Sequence, residues 1–261
     1  MNAQPMDVRL MNLTTIALVV AGACALSVVL GWWLLRHPMF SLDGITVRGD
    51  VNYVNAPTLR ANVAPRLTGN FFTLDLGDVR NAFEAVPWVR RAVVRRDFPN
   101  RLSVVLQEHE AVALWGIDAE PRLLNKFGEV FDANVGDVEQ GDLPRLSGPV
   151  GEAAQVLAMY RALKPLFDTL DRDLEQLTFS ARGSWRAQLD GGAVIEIGRG
   201  STAEVAPLVQ RFLATLSQAA ARNQRGIEAL EYADLRHTDG YALRLRGVTT
   251  LAPDAPNAPK K

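Results

Sequence analysis

The chain has 261 residues and is electrically almost balanced, with 28 lysines and arginines against 29 aspartates and glutamates. This balance gives no bulk field that would attract nucleic acid. The only cysteine is Cys24, so a disulfide framework is excluded. His37, His109 and His237 lie too far apart in sequence for a zinc motif.

The longest apolar stretch runs from Leu13 to Leu35 and contains no charged side chain. A helix of about 23 residues, at ~1.5 Å per residue, is long enough to cross a bilayer core of ~30 Å. Trp32 and Trp33 stand at its end, where amphipathic rings favour the membrane interface. We therefore expect residues 1–12 to form a short mobile tail and residues 13–36 to form a transmembrane helix.

Two other interpretations compete with a membrane anchor. A cleaved signal peptide has a shorter apolar region and a small-residue cleavage site, and neither matches this stretch. Lipidation at Cys24 requires a tighter box of small residues than Val20–Ala23, and the apolar run continues past the cysteine. Too few lysines and arginines flank the helix to set its orientation by charge alone.

Residues 40–110 predict a small α+β domain. The expected elements are a strand around Ile45 and Val47, a helix capped by Asn55, a helix from Asp75 to Pro87, and strands at 89–96 and 101–108. The order is strand, helix, helix, strand, strand. Such an order fits two helices packed on one face of a three-stranded sheet.

Residues 111–250 predict a larger domain of mainly antiparallel strands with helices on one face. We expect helices at 152–167 and from Val205 onward, and strands at 123–131 around a turn, 177–181, 185–189, 193–198, 227–235 and 241–246. Pro165 should kink or end the first helix. The Asp190–Gly192 turn indicates a hairpin. From residue 251 to 261 the composition predicts disorder.

The segment Gly198–Ala203 has the form of a dinucleotide-binding fingerprint. The strand before it alternates and ends a hairpin, whereas a true fingerprint follows a buried strand of a βαβ unit. Ser201 and Glu204 match a capping box, so we interpret the segment as a helix start. The sequence has no nucleophile elbow, zinc-protease or P-loop motif, and we expect no enzymatic activity, cofactor or metal.

The run from Pro87 to Glu108 resembles the POTRA domain of the FtsQ/DivIB family of bacterial cell-division proteins, and Ile45–Gly49 fits the first strand of that domain. Three later segments recur in family order: 124–131, 143–149 and 232–236. Ala111 departs from the family pattern, in which proline often follows the acidic end of the strand.

The resemblance implies an α+β fold with one N-terminal transmembrane helix, a POTRA-like βααββ domain at 40–110 and a β domain at 111–250. It also implies a single-pass type II protein of the bacterial inner membrane, located at the division septum. Residues 1–12 would then be cytoplasmic and the bulk of the chain periplasmic. The implied role is a non-catalytic scaffold that recruits partners such as FtsB/FtsL, with no small-molecule substrate.

Another class of protein also contains POTRA-like domains. Outer-membrane assembly and secretion factors use them to bind polypeptides in transit. Such a protein would carry several of these domains in tandem and a barrel of alternating strands, and the sequence shows neither pattern.

The last predicted hairpin, at 227–246, is the candidate binding site. A C-terminal strand is often a sheet edge, where unpaired N–H and C=O groups can bind a partner segment as an additional strand. We therefore expect Tyr241 and Leu243 to contact such a partner segment. The resemblance adds Tyr232, Arg236, His237 and Gly240 as contacts for FtsB/FtsL. We further expect a positive φ at Gly240, which glycine tolerates most easily.

A cluster of arginines on the 89–108 hairpin is a second candidate surface. Its members are Arg90, Arg91, Arg95 and Arg96. These side chains could contact anionic headgroups or an acidic partner near the membrane. They could equally be solvated charges that prevent a strand edge from pairing with other chains. The sequence supports both interpretations.

Overall fold

The computed structural model describes residues 6–35, 37, 40–117, 121–139, 141, 143–237 and 240–248. The chain divides into two compact units, Met1–His109 and Glu110–Lys261. Residues 251–261, for which the composition predicts disorder, lie outside the described residues.

The first helix, α1, spans Met6–Leu35. Within it, Leu10–Trp33 has 24 residues and a mean hydropathy of 2.4, and is long and apolar enough to be a candidate membrane span. The helix begins at Met6, so residues 6–12 are helical and not the mobile tail expected from the sequence. No glycine or proline interrupts them, and extending a helix that has already formed costs little free energy.

The rest of the first unit has the βααββ order predicted from the sequence. Its elements are β1 (Gly44–Gly49), α2 (Ala56–Val63), α3 (Leu76–Glu84), β2 (Val89–Asp97) and β3 (Arg101–Glu108). The strand order is β1-β3-β2, with β1 parallel and β2 antiparallel to the central strand β3. The side chains of Asn55 and Asp75 cap the two helices, as expected.

Glu108, at the end of β3, holds the chain that leads into α2. Its carboxylate accepts hydrogen bonds from the backbone N–H groups of Asn52 and Val54, both at 2.8 Å, and from Tyr53 at 3.2 Å. The side chain is buried, at 7% exposure. Three backbone donors therefore depend on one buried carboxylate.

Replacing this carboxylate should destabilise the first unit. Glu108→Ala leaves three donors without their acceptor, and we expect a loss of about 3 kcal/mol in the free energy of unfolding. The control is Asp50→Ala, which removes an exposed carboxylate from the neighbouring loop and should change stability by less than about 0.5 kcal/mol. The measurement is urea-dependent hydrogen exchange of residues 44–108 in the full chain. Equal stability of the two variants would contradict the role of Glu108.

The second unit contains two helices and nine strands among its described residues. The strands are β4 (Ala111–Trp115), β5 (Arg122–Asn125), β6 (Val130–Phe131), β7 (Arg145–Ser147), β8 (Leu174–Phe179), β9 (Ser184–Leu189), β10 (Val194–Arg199), β11 (Leu230–Asp234) and β12 (Ala242–Leu245). The helices are α4 (Ala153–Asp168) and α5 (Thr202–Arg222).

These strands form one sheet in the order β12-β11-β10-β9-β8-β7-β4-β5-β6. Five of the eight pairings are antiparallel and three are parallel, so the sheet is mainly antiparallel. The buried faces of α4 and α5 pack on one side of it, around a core that includes Trp185, Phe167 and Phe212. The larger domain therefore has the architecture expected from the sequence.

Two strands are missing from the sequence predictions, and Ile227–Ala229, predicted as part of a strand, forms a 3₁₀ helix. The apolar run of β4 and the short strand β7 were not predicted. β7 pairs in parallel with β4 and β8, both distant in sequence, so no local turn indicates it, whereas β4 pairs in parallel with β7 and antiparallel with β5, the next strand of the chain. Pro165 does not end α4, which continues to Asp168. The buried Phe167 anchors this last turn.

Candidate partner-binding site

β12 lies at the edge of the sheet and pairs only with β11 among the described strands. Arg246, just after β12, donates its backbone N–H to the carbonyl of Ala229 at 2.7 Å. Hydrogen bonding alternates along an antiparallel strand, so Leu243, which lies between inward-bonding residues, directs its N–H and C=O away from β11. A row of main-chain donors and acceptors thus faces outward, as expected for a C-terminal strand at the edge of a sheet.

The side chains of Tyr241 and Leu243 face α5. The Tyr241 hydroxyl donates to Thr215 Oγ1 at 2.7 Å, and its ring lies edge-on to Phe212 with centroids 5.1 Å apart. Leu243 is half-buried against the core and lies opposite Ala233 of β11. Both side chains therefore fix the position of the edge strand as well as lining it.

Tyr232 lies on the opposite face of the sheet. It pairs with Arg244 of β12 on one side and with Val194 of β10 on the other. Because successive residues of a strand point to opposite faces, Tyr232 cannot share a surface with Tyr241 and Leu243. The structure thus divides the predicted contacts between the two faces that flank the open edge.

Arg236 lies just beyond the end of β11 and is held by Asp234. Its Nε donates to Asp234 Oδ1 at 2.9 Å, its Nη2 to Oδ2 at 2.5 Å, and its backbone N–H to Oδ1 at 3.0 Å. These bonds from the arginine side chain lower the pKa of Asp234 to about 2. The carboxylate in turn raises the pKa of Arg236. A two-point ion pair of this kind fixes the direction of the guanidinium.

Gly198 and Gly240 have different roles near Arg236. Gly198 has a φ of +98°, and a Cβ at this position would lie 3.2 Å from Arg236 Cγ. A glycine there lets the arginine pack closely on the backbone of β10. Gly240 has no φ in the positive range, so the expectation of a left-handed conformation at Gly240 is wrong. Open space surrounds it, and it needs no special geometry.

A cleft of about 900 Å³ at this end of the sheet is rich in arginine. Four arginines line it, Arg182, Arg186, Arg199 and Arg236, together with His237. Arg186 is paired with Glu196 across β9 and β10. The side chains of Arg182 and Arg199 are exposed and make no hydrogen bond or ion pair within the part of the chain that the structure describes. The cleft therefore presents unneutralised positive charge.

Arg182 and Arg199 carry no sequence signal that marks them as site residues. Each lies more than 30 residues from the 232–243 segment, and only the sheet brings them to it. The Gly198–Gly200 turn is the one sequence feature that marks this region, and the sequence predicts it to be the start of a helix. That interpretation is confirmed, since Ser201 and Glu204 form the capping box of α5.

His237 and Gly240 complete the site. Together with Tyr241 they line a smaller cleft of about 420 Å³ against α5. His237 also lines the arginine-rich cleft, so it stands between the two. Five of the six predicted contacts thus lie around one end and one face of the β12 edge, and Tyr232 lies on the other face.

The candidate basic surface lies in the first unit and is smaller than predicted. Arg96 Nε donates to the carbonyl of Phe71 at 2.6 Å and its Nη2 to that of Leu74 at 2.7 Å, so Arg96 holds a loop. Arg90 donates to Gln107 at 3.3 Å. Arg91 and Arg95 remain exposed on the edge strand β2. Across the described ranges, no group of three or more histidine, cysteine, aspartate or glutamate side chains could hold a metal ion.

The Asp234–Arg236 pair makes a pH-dependent contribution to stability. Its carboxyl pKa is about 2 in the folded chain against an ordinary 3.8, so the contribution is complete above pH 3.8 and is lost as the pH falls toward 2. In Arg236→Ala we expect the pKa of Asp234 to rise toward its ordinary value, measured by NMR titration of the carboxyl group. Arg222→Ala, an exposed arginine at the end of α5, should leave it unchanged. Titration of Asp234 near 3.8 in the unaltered chain would contradict the pairing.

Fold and site together define a class: a chain with one candidate membrane span, a POTRA-type domain, and a larger domain with an open sheet edge beside a cationic cleft. Two family models agree with this class. One is described as "POTRA domain, FtsQ-type" and matches residues 40–109. The other, "Cell division protein FtsQ/DivIB, C-terminal", matches residues 113–236, so β12 follows the matched region.

Similar proteins cover almost the whole chain. A protein named "Cell division protein FtsQ" from Burkholderia pseudomallei is 39% identical over 94% of this chain and 96% of its own length. Proteins of the same name from Thiomonas arsenitoxydans and Bordetella pertussis are 36% and 34% identical. The chain spans 89% and 92% of those two relatives, and they cover 94% and 92% of it.

This chain belongs to the FtsQ/DivIB family of bacterial cell-division proteins. The family is one of division scaffolds that are not known as enzymes, and its members act through protein–protein interactions in the division complex.

Proposed function

We propose that this protein is a single-pass protein of the bacterial inner membrane, with its N-terminus in the cytoplasm and both folded units in the periplasm at the division septum. The candidate span lies near the N-terminus, before both folded units in the chain, and this position supports a membrane anchor. Family membership supports the place in the division complex.

In this proposal the protein is a non-catalytic scaffold that links an FtsB/FtsL-type pair to the division complex. The open main-chain edge of β12 is the observation that carries it. A partner segment that adds as a further strand gains hydrogen bonds from the backbone, and its alternate side chains gain contacts on both faces of the sheet. Tyr241 and Leu243 supply one face, and Tyr232 and Arg244 the other.

The charge beside the edge supports a partner with carboxylates. Arg182, Arg199 and Arg236 lie in the cleft at the end of β11. Asp234 already occupies one side of the Arg236 guanidinium, which leaves its remaining donors for a partner. Arg91 and Arg95 of the first unit are proposed as a second surface for other division proteins. Their charge favours an acidic partner or anionic headgroups.

The rival proposal is an assembly or secretion factor that binds polypeptides in transit. The described residues contain one POTRA-type domain, followed by a domain that the FtsQ/DivIB C-terminal model matches. This arrangement favours the division scaffold.

The proposed strand addition depends on the outward N–H of Leu243. Leu243→Pro removes this donor and leaves the inward bonds of β12 to β11 in place, because proline is tolerated on edge strands. We expect it to weaken binding of the purified FtsB–FtsL pair of the same bacterium by about tenfold or more, measured as a dissociation constant. Leu243→Ala is the matched control. It loses side-chain packing but keeps the donor, and should retain binding within about threefold. Equal loss in both variants would mean that the side chain, and not the edge, binds the partner.

The proposed topology has a direct test. If α1 crosses the inner membrane with its N-terminus inside, protease added to spheroplasts should digest both folded units and spare residues before the anchor. A tag at the N-terminus should survive this treatment and a tag after residue 248 should be removed. Protection of both tags, or release of the mature chain into solution, would contradict the topology.

A further inference from the structure

Aromatic side chains cluster at the end of the first unit where β1 begins and the β2–β3 hairpin turns. Phe98, in the hairpin turn, is 80% exposed, and Phe72 is 41% exposed. Phe40 lies edge-on to Phe72 with ring centroids 4.9 Å apart, and Phe71 lies edge-on to Phe98 at 6.3 Å. A group of large rings that leaves two of its members in water indicates contact with an apolar surface outside the fold.

Backbone hydrogen bonds hold this aromatic cluster in place. Phe71 donates its backbone N–H to the carbonyl of Phe40 at 2.9 Å, and Asp43 donates its own to the carbonyl of Asn100 at 3.0 Å. Arg96 donates from Nε to the carbonyl of Phe71 at 2.6 Å. The hairpin turn, the loop before α3 and the segment before β1 therefore form one fixed end of the unit, and the exposed rings share it.

The cluster is also tied to the candidate membrane span. The span ends at Trp33, and the rings of Trp33 and His37 lie edge-on with centroids 5.3 Å apart. Phe40 donates its backbone N–H to the carbonyl of His37 at 3.0 Å. A series of contacts thus leads from Trp33, a ring type that favours the membrane interface, to Phe40 and its neighbour Phe72. If α1 crosses a bilayer, the exposed rings lie close to that bilayer.

The charges around the cluster have both signs. Asp97 lies opposite Arg101 where the hairpin turns, and both side chains are exposed. The carboxylates nearby are those of Asp43, Asp75 and Asp97, and the guanidinium groups are those of Arg95, Arg96 and Arg101. Neither sign of charge therefore selects a partner, and the rings themselves are the surface that a ligand would contact.

We propose that this end of the first unit lies in the headgroup region of the bilayer that α1 crosses, with Phe98 and Phe72 at the boundary of the acyl chains. The contacts that lead to Trp33 favour lipid over a protein partner, because they hold the rings beside the membrane at all times. Apolar side chains that enter the interface leave water, and charges of both signs suit a zwitterionic surface. The first unit is thereby held against the membrane and does not turn freely about its anchor.

This inference rests on the proposed function, because it requires α1 to be a membrane anchor. It is separate from the β12 edge, which contacts a partner polypeptide in that proposal. It uses the rings of Phe72 and Phe98 and not the charge of the Arg91 and Arg95 surface. Membranes with and without anionic lipid therefore distinguish the two surfaces.

The test places a nitroxide label at position 98 of the full chain in proteoliposomes of phosphatidylcholine. Phe98→Cys is labelled in a chain that also carries Cys24→Ser, which removes the only native cysteine. Electron paramagnetic resonance measures how often the label collides with oxygen, which concentrates in lipid, and with a water-soluble nickel complex. We expect oxygen to dominate at position 98. A label at Val150, which is fully exposed in the second unit, is the control and should collide mainly with the nickel complex.

A label at Leu26, within α1, separates this inference from the proposed function. Oxygen should dominate there if α1 spans the bilayer. A lipid signal at Leu26 with a water signal at position 98 would leave the anchor in place and overturn the inference. Water signals at both positions would overturn the anchor and the inference together. A lipid signal at position 98 that requires added phosphatidylglycerol would assign the contact to charge and would also overturn the inference.

Phe98→Ser tests the ring itself in a chain labelled at position 72. We expect the fraction of label in the membrane to fall about tenfold, because one large apolar side chain no longer leaves water. Folding should be retained, since Phe98 is exposed. Phe127→Ser is the matched control, at a ring that is 46% exposed in the second unit, and should have no effect.

An unchanged membrane fraction in Phe98→Ser, or the same loss in Phe127→Ser, would contradict a specific contact through this ring. Magnetic coupling between labels at position 98 of different chains, if it persists on dilution with lipid, would assign the cluster to contact between copies and overturn the inference.

Discussion

Backbone N–H and C=O groups must be hydrogen-bonded, and a sheet that ends leaves a row of them facing outward. The second unit ends its sheet at β12 and then fixes that strand from two sides. β11 holds it by backbone pairing, and α5 holds it through the contacts of Tyr241 with Thr215 and Phe212. The edge is therefore rigid although it is open. In the proposed function this rigidity lowers the entropic cost when a partner strand adds.

The Asp234–Arg236 ion pair near the edge orients the guanidinium more than it stabilises the fold. Exposed ion pairs contribute little to the free energy of folding. The Asp234–Arg236 pair instead keeps a guanidinium at the mouth of the arginine-rich cleft, and the absence of a side chain at Gly198 leaves room for it. The exposed side chains of Arg182 and Arg199 line the same cleft, so it presents positive charge to a partner. This arrangement favours selection of an acidic segment over an apolar one.

Each folded unit carries an open strand, and a candidate membrane span precedes both. If the chain is anchored as proposed, partners in the same membrane meet these strands at a high effective concentration, so weak contacts at separate surfaces can act together. A scaffold of this kind needs no catalytic group. Its function would follow from which main-chain edges are left open and which charges stand beside them.

The sequence by itself determined the elements whose signals are local. It predicted the βααββ order, the caps at Asn55 and Asp75, the capping box of Ser201 and Glu204, and the last hairpin with its edge strand. These depend on residues a few positions apart, so periodicity and turn chemistry report them. Only the tertiary structure decided the strand β7, the use of Arg96 to hold a loop, and the meeting of Arg182 and Arg199 with Arg236. Parallel pairing and a shared cleft join residues far apart in the chain, and no local pattern carries that information.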